Sequence, residues 1–206
     1  MKLFIVFEGG EGSGKTIQSQ MLADYLKGKG LGVFLTKEPG GDASVCRDIR
    51  TTLLNPDYKI SSKAELLLFA ADRAQHVDNV IAPELEKGNI VICDRFDAST
   101  YAYQVCARGV PEKDFKTLNN FAKGKILPDF TFWLDVDPAV GLRRNANIGK
   151  RDRLEKEDVS FHQKVRAGYK EYFKKITKNK HAKIDASKSI EEIHREIIRI
   201  FEEKLR

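Results

Sequence analysis

The chain has 206 residues, 41% hydrophobic and 32% charged, with 36 basic against 30 acidic side chains for a net charge of +6. That length fits one ordinary domain, or one domain with a small mobile insertion, and a sizeable core, the composition does not indicate disorder, and no stretch approaches the ~18 apolar residues of a membrane span. The positive balance favours anionic partners, among which charge alone does not choose nucleotide, nucleic acid or membrane surface.

Residues 3–7 form a short apolar run closed by Gly9 and Gly10, which predicts a strand buried on both faces of a parallel sheet. The glycine loop opens a helix over 15–29, and a strand signal returns at 33–36. Ser62 with Glu65 three residues on reads as a capping box starting the longest helix, which ends just before Gly88. On it Leu67, Ala70, Ala74, Val77 and Ile81 recur at helical spacing and mark the face expected against the core; Phe69 and Arg73 lie off that stripe. Strands are predicted at 90–93, 131–136 and 183–185, and helices at 97–106, 112–123, 138–147, 157–177 and 189–204. Strand alternating with helix implies an α/β fold, a parallel sheet with helices on both faces. Cys46, Cys93 and Cys106 are odd in number and form no C-x-x-C pair, so free buried thiols are expected. The opening "MKLFIVFEGG" is too short for a signal peptide, and a cytoplasmic enzyme is the simplest expectation.

Gly9-x-x-x-x-Gly14-Lys15-Thr16 satisfies the phosphate-loop pattern with a strand before it and a helix after it. In that setting the main-chain amides of Gly9, Gly10, Glu11, Gly12, Ser13 and Gly14 curl around phosphate oxygens, and the helix amino terminus adds its positive dipole end. Lys15 is placed to reach the β- and γ-phosphates of a nucleoside triphosphate, and Thr16 to ligate Mg²⁺. The strand at 90–93 runs into Asp94, a carboxylate near the metal, and Arg95, whose planar fork suits a second phosphate. Glu11 shares the sign of the triphosphate, so it is expected to face a group that donates a hydrogen bond, such as a sugar hydroxyl. That reading favours transfer to a second substrate over transfer to water.

The stretches "FEGGEGSGKT", "TKEPGG", "ELLLFAADRAQH", "VICDRFDASTYAYQ", "DRLEKED" and "IDAS", in this order, resemble the bacterial thymidylate kinase family along nearly the whole chain. The resemblance implies phosphorylation of dTMP to dTDP with ATP and Mg²⁺, a P-loop NTPase fold with a five-stranded parallel sheet flanked by helices, a homodimer, and a lid at about 143–156. It implies that Phe69 stacks on the thymine ring, that Arg73 donates to its O4 carbonyl, and that Thr100, with Ser99 and Gln104 nearby, meets its N3 edge. Tyr103 is expected to crowd the sugar 2′ position, Arg95 to hold the acceptor phosphate, and Glu38 and Glu11 to lie near the phosphate-metal region and the sugar 3′ hydroxyl. Ile17 stands where the family repeats threonine, and one extra residue before "IRTTLL" leaves Arg50 and Arg47 as competing matches to a second acceptor-phosphate arginine.

Phosphoryl transfer needs one further cation near the γ-phosphate. The segment "RRNANIGKRDR" at 143–153 resembles the family's lid and supplies Arg153 as the best positional match, with Arg151 or Lys150 as alternatives; Ile148 sits where some relatives carry the lid arginine. The "IDAS" segment is expected near the adenine edge. A kinase for another nucleoside monophosphate would keep the same loop. A P-loop regulatory or nucleic-acid-binding ATPase is disfavoured, because no N-K-x-D motif occurs and the basic residues are scattered, so no nucleic-acid partner is expected.

Overall fold

The computed structural model of the protein describes residues 2–146 and 152–204. Its centre is a five-stranded parallel sheet in the order β2-β3-β1-β4-β5, with β1 at Leu3–Gly9, β2 at Val33–Lys37, β3 at Ile90–Asp94, β4 at Phe130–Asp135 and β5 at His181–Asp185. Burial on both faces explains the unbroken apolar runs of β1, β3 and β4. The register sets Phe7 beside Asp94, which brings the carboxyl ends of β1 and β3 together.

Helix α1 (Lys15–Gly28) and helix α9 (Ile190–Lys204) cover one face, where Leu22, Leu26, Ile197 and Phe201 pack on Ile5, Phe7 and Phe132. Each such side chain contributes about 1.5–3 kcal/mol through burial. On the other face Val77, Ile81, Leu85 and Phe96 pack on Phe4, Val6 and Val91, while α8 (Val159–Lys175) lays Val165, Tyr169 and Phe173 against Trp133. Helices α2 (Ser44–Leu54), α3 (Ser62–His76), α4 (Ala82–Glu86), α5 (Asp97–Thr100), α6 (Glu112–Lys123) and α7 (Pro138–Ala146) complete the layers.

Three expectations are corrected here. The cap of α3 is Ser61, whose Oγ accepts from the Ala64 amide, and Glu65 is buried in tertiary contacts instead of closing a capping box on Ser62. The expected stripe holds for Val77 and Ile81, but Leu67 is 54% exposed while Glu65, Asp72, Arg73 and His76 point inward. Partners from other elements reach Glu65, Arg73 and His76, and Asp72 accepts from the Gly40 amide through Oδ1 while its Oδ2 is buried without a partner. The long helix is also not uniform: a π-helical turn at Val77–Ile81 joins α3 to α4, and another at Tyr101–Ala107 replaces most of the helix expected over 97–106. Helix α2, which "SVCRDIRTTLL" did not announce, stands after the second strand. The three cysteines are free, Cys46 and Cys93 buried and Cys106 half-buried.

Candidate active site

The phosphate loop forms where β1 ends. Gly14 at φ 87° turns the chain into α1, and Gly12 takes φ 64°. A side chain on Gly12 would strike the main chain of Gly141, and one on Gly141 would strike the Glu11 carbonyl, so the loop and α7 lie backbone against backbone. Lys15 bends back, its Nζ donating to the Gly10 carbonyl at 2.8 Å and to Ser13 Oγ at 3.3 Å. Burial, with the Arg95 charge nearby, lowers its pKa to about 8. An incoming anion in the loop would restore a counter-charge and favour the ammonium form.

Thr16 Oγ1 donates to Asp94 Oδ2 at 2.5 Å, tying α1 to the end of β3. The other carboxylate oxygen, Asp94 Oδ1, is buried without a partner. One hydroxyl and one carboxylate suit a Mg²⁺ that keeps its remaining ligands as water and phosphate oxygens. Among the described residues no group of three or more His, Cys, Asp or Glu side chains forms an all-protein cage.

Arg95 follows β3 at φ 75°, an uncommon conformation for a residue with a side chain, and its amide is held by the Phe7 carbonyl at 2.8 Å. Its Nη1 donates to the Gly9 carbonyl at 3.0 Å and to Ser99 Oγ and the Tyr169 hydroxyl at 3.2 Å; Nη2 meets Glu11 Oε1 at 2.5 Å. Glu11 also accepts from the Tyr103 hydroxyl at 2.7 Å. Burial works to raise the Glu11 pKa, but the Arg95 and Lys15 charges outweigh it and hold the pKa at about 2. Within the chain, an arginine and a tyrosine donate to Glu11.

A cavity of about 710 Å³ runs past these groups. The loop from Glu11 to Thr16 lines it together with Glu38, Arg50, Phe69, Asp94, Arg95, Ser99, Thr100, Tyr103 and Gln104. Gly9 and Gly10 stand outside the lining and shape the turn beneath it. Of the two competing arginines, Arg50 lines the cavity and donates to the Pro39 carbonyl at 2.7 Å, whereas Arg47 turns to the Asp42 carbonyl. At the other end Lys188, Ser189, Ile190 and Ile193 complete the wall, just beyond the "IDAS" segment.

Arg73 does not line this cavity. It lies behind Thr100, 2% exposed, with Nε donating to Glu38 Oε2 at 2.9 Å, Nη1 to Asn119 Oδ1 at 2.8 Å and Nη2 to Thr100 Oγ1 at 2.9 Å. Its guanidinium also covers the Phe96 ring at 4.9 Å. Glu38 is therefore shared between the cavity wall and a buried group, its second oxygen lying 3.1 Å from His76 Nδ1.

Arg153 is likewise absent from the cavity lining. Its amide and Nε donate to the carbonyls of Leu54 and Leu53, at 3.2 and 2.9 Å, and its Nη1 pairs with Glu65 at 2.5 Å. These attachments hold it to the end of α2 and to α3. Arg151, Lys150 and Ile148 lie outside the described residues. Sequence reasoning passed over three side chains that shape the site. Arg144 lines the cavity and donates to the Ala186 carbonyl at 2.8 Å and the Gly12 carbonyl at 3.4 Å. Tyr169 supports Arg95, Ser99 and Glu8 from α8, and Asn119 supports Arg73 from α6. Only Arg144 had a local signal, its place in the basic run.

The family model described as thymidylate kinase matches residues 7–197. A thymidylate kinase of Trichodesmium erythraeum (strain IMS101) is 43% identical over 220 residues, covering 98% of this chain and 96% of that protein. One of Halothermothrix orenii (strain H 168 / OCM 544 / DSM 9562) is 46% identical, covering 95% of this chain and 94% of that protein. One of Dehalococcoides mccartyi (strain ATCC BAA-2266 / KCTC 15142 / 195) is 46% identical, covering 94% of this chain and 92% of that protein. With the phosphate loop, the Thr16–Asp94 pair and Arg95 gathered at the carboxyl edge of its parallel sheet, this chain belongs to the thymidylate kinase family.

Proposed function

We propose that the protein transfers the γ-phosphoryl group of ATP directly to dTMP, giving dTDP and ADP, as a cytoplasmic P-loop kinase of one domain over 1–206 with a lid at about 143–156. The observation that carries this reading is one cavity joining a phosphate loop to a second, guanidinium-lined end that finishes in an aromatic and amide pocket. In the reaction an oxygen of the acceptor phosphate bonds to the γ-phosphorus as the bridging bond to ADP breaks. The protein's part is to position both phosphates and spread the charge. The main chain from Gly12 to Thr16 cradles the triphosphate and Lys15 neutralises it. Arg95, oriented by Ser99 and Glu11, and Arg50 clamp the acceptor phosphate. Thr16 and Asp94 would hold Mg²⁺, which when bound supplies charge neutralisation to the phosphate oxygens.

Phe69 offers its ring to the pyrimidine, Thr100 and Gln104 face its polar edge, and Tyr103 stands on the sugar side. Arg73 acts through Thr100, and Glu38 holds Arg73. With Arg153 engaged elsewhere, Arg151 or Lys150 is the lid cation.

The homodimer belongs to the same reading. Val45, Leu67 and Phe121 are 48%, 54% and 86% exposed, and their helices α2, α3 and α6 pack side by side, α3 against both others. Apolar side chains left open on adjoining helices suit a two-fold contact with a second copy. Among the described residues no helix is long and apolar enough to cross a membrane.

Initial rates on dTMP, dUMP, dCMP and UMP with ATP and Mg²⁺ test the reaction. The expected order has dTMP first; faster turnover of a cytidine nucleotide would refute the assignment.

A further inference from the structure

Glu65 is the charged side chain that the sequence pattern assigned to a helix cap, yet it is fully buried and reaches none of the reacting groups. Its Oε1 accepts from Gln104 Nε2 at 2.8 Å and from Arg108 Nε at 3.3 Å, while Oε2 faces Arg153 Nη1. A carboxylate offers only acceptors, so the amide of Gln104 must turn its NH₂ end to Glu65. The carbonyl end, Gln104 Oε1, is then committed to the opposite side. It is buried and has no partner in the protein, and Gln104 itself, 1% exposed, lines the cavity beside Phe69, Thr100 and Tyr103. A buried carbonyl oxygen left unpaired is destabilising unless something in the cavity donates to it.

We infer that Glu65 is a positioning residue for base selection: by fixing the direction of the Gln104 amide, it presents an acceptor to the ring N–H of a keto pyrimidine and rejects a ring whose nitrogen is itself an acceptor. The inference rests on the proposed dTMP reaction. Thymine carries a hydrogen on N3, whereas 5-methylcytosine, of the same outline, carries a lone pair there. Against an amide locked by Glu65 the second ring brings acceptor against acceptor. An amide free to rotate would serve either ring, as a donor to one and an acceptor to the other. Arg108 and Arg153 hold the carboxylate that performs the locking, which gives the Arg153 attachment a purpose away from the γ-phosphate.

The test compares kcat/KM for dTMP and for 5-methyl-dCMP at saturating ATP in the wild type, Glu65→Leu, Glu65→Gln and Gln104→Met. Expected is a wild-type preference for dTMP that shrinks about tenfold or more in Glu65→Leu, the size set by one unpaired buried polar group. Glu65→Gln keeps an acceptor oxygen and restores the preference to within about threefold of wild type, a smaller loss than that of an unpaired group. Gln104→Met loses the preference as well. An unchanged ratio in Glu65→Leu overturns the inference, whatever happens to stability or to kcat. Should that variant fail to fold, an unchanged ratio in Gln104→Met overturns it equally. If the wild type turns over dTMP and the ratios do not move, only the role of Glu65 falls; if the wild type leaves dTMP untouched, the reaction assignment falls with it.

Discussion

Arg95 meets Glu11 at 2.5 Å, Nη2 to Oε1, so the carboxylate that stands inside a phosphate loop serves as counter-charge to the arginine of the neighbouring strand. The pair explains how a loop built for anions tolerates a glutamate. It also fixes the Arg95 guanidinium beside the loop. A lysine has neither the planar fork nor the second nitrogen needed to reach Gly9, Ser99 and Glu11 together. Arg95→Lys is therefore expected to lower kcat/KM for dTMP by about 10²-fold or more, as loss of a transition-state charge contact does. Steady-state kinetics with dTMP varied check it, and a change below threefold would remove Arg95 from the acceptor clamp.

Lys15 supplies a pH signature. Its pKa in the free protein is lowered to about 8 by burial and the Arg95 charge, and an ammonium is the form that attracts a triphosphate. Below that value the group is charged and ready; above it the free enzyme loses the cation. The expected result is a kcat/KM for ATP that falls as pH rises through about 8. Lys15→Ala should lose ~10³-fold in kcat and flatten that limb, which a pH series on both proteins would show.

The buried trio of Arg73, Glu38 and His76 gives a stability test. Arg73→Ala leaves the Glu38 carboxylate without its guanidinium inside the protein, a change that costs about 3–5 kcal/mol in buried pairs. Urea unfolding should register a loss of that order, together with a raised KM for dTMP and a little-changed KM for ATP. Equal shifts in both KM values would contradict an action of Arg73 on the acceptor pocket through Thr100.

Much of this site was legible locally. Glycine spacing announced the phosphate loop, and an apolar run ending in Asp94 and Arg95 announced its partner strand, because both depend on neighbours in the chain. What could not be read was set by distant partners. Leu67 looks like core and stands open, whereas Glu65 and Arg73 look like surface and are buried, because Gln104, Arg108, Glu38 and Asn119 arrive from other elements to satisfy them. The hold of Arg153 on Leu53, Leu54 and Glu65 was illegible for the same reason, since it exists only in three dimensions.

The proposed Mg²⁺ site rests on Thr16 and Asp94. Asp94→Asn removes the charge next to the orphaned oxygen and Thr16→Val removes the hydroxyl. Each should raise the half-saturating Mg²⁺ concentration about tenfold or more, the loss typical of a disturbed metal environment. A magnesium titration of initial rates at fixed ATP measures this.

The exposed apolar side chains Leu67 and Phe121 supply a test of assembly. Leu67→Glu with Phe121→Glu places charge on the proposed contact and should shift the protein from dimer to monomer in light scattering during gel filtration. A wild type that is already monomeric at micromolar concentration would contradict the dimer.

In the proposed reaction ATP and thymidine monophosphate meet across the carboxyl edge of this sheet. The most direct measurement follows ADP formation with and without dTMP while phosphorus NMR watches for the diphosphate. ADP release is expected to depend on dTMP and to match dTDP mole for mole. ATP consumption at the same pace in either case, with no dTDP formed, would contradict it.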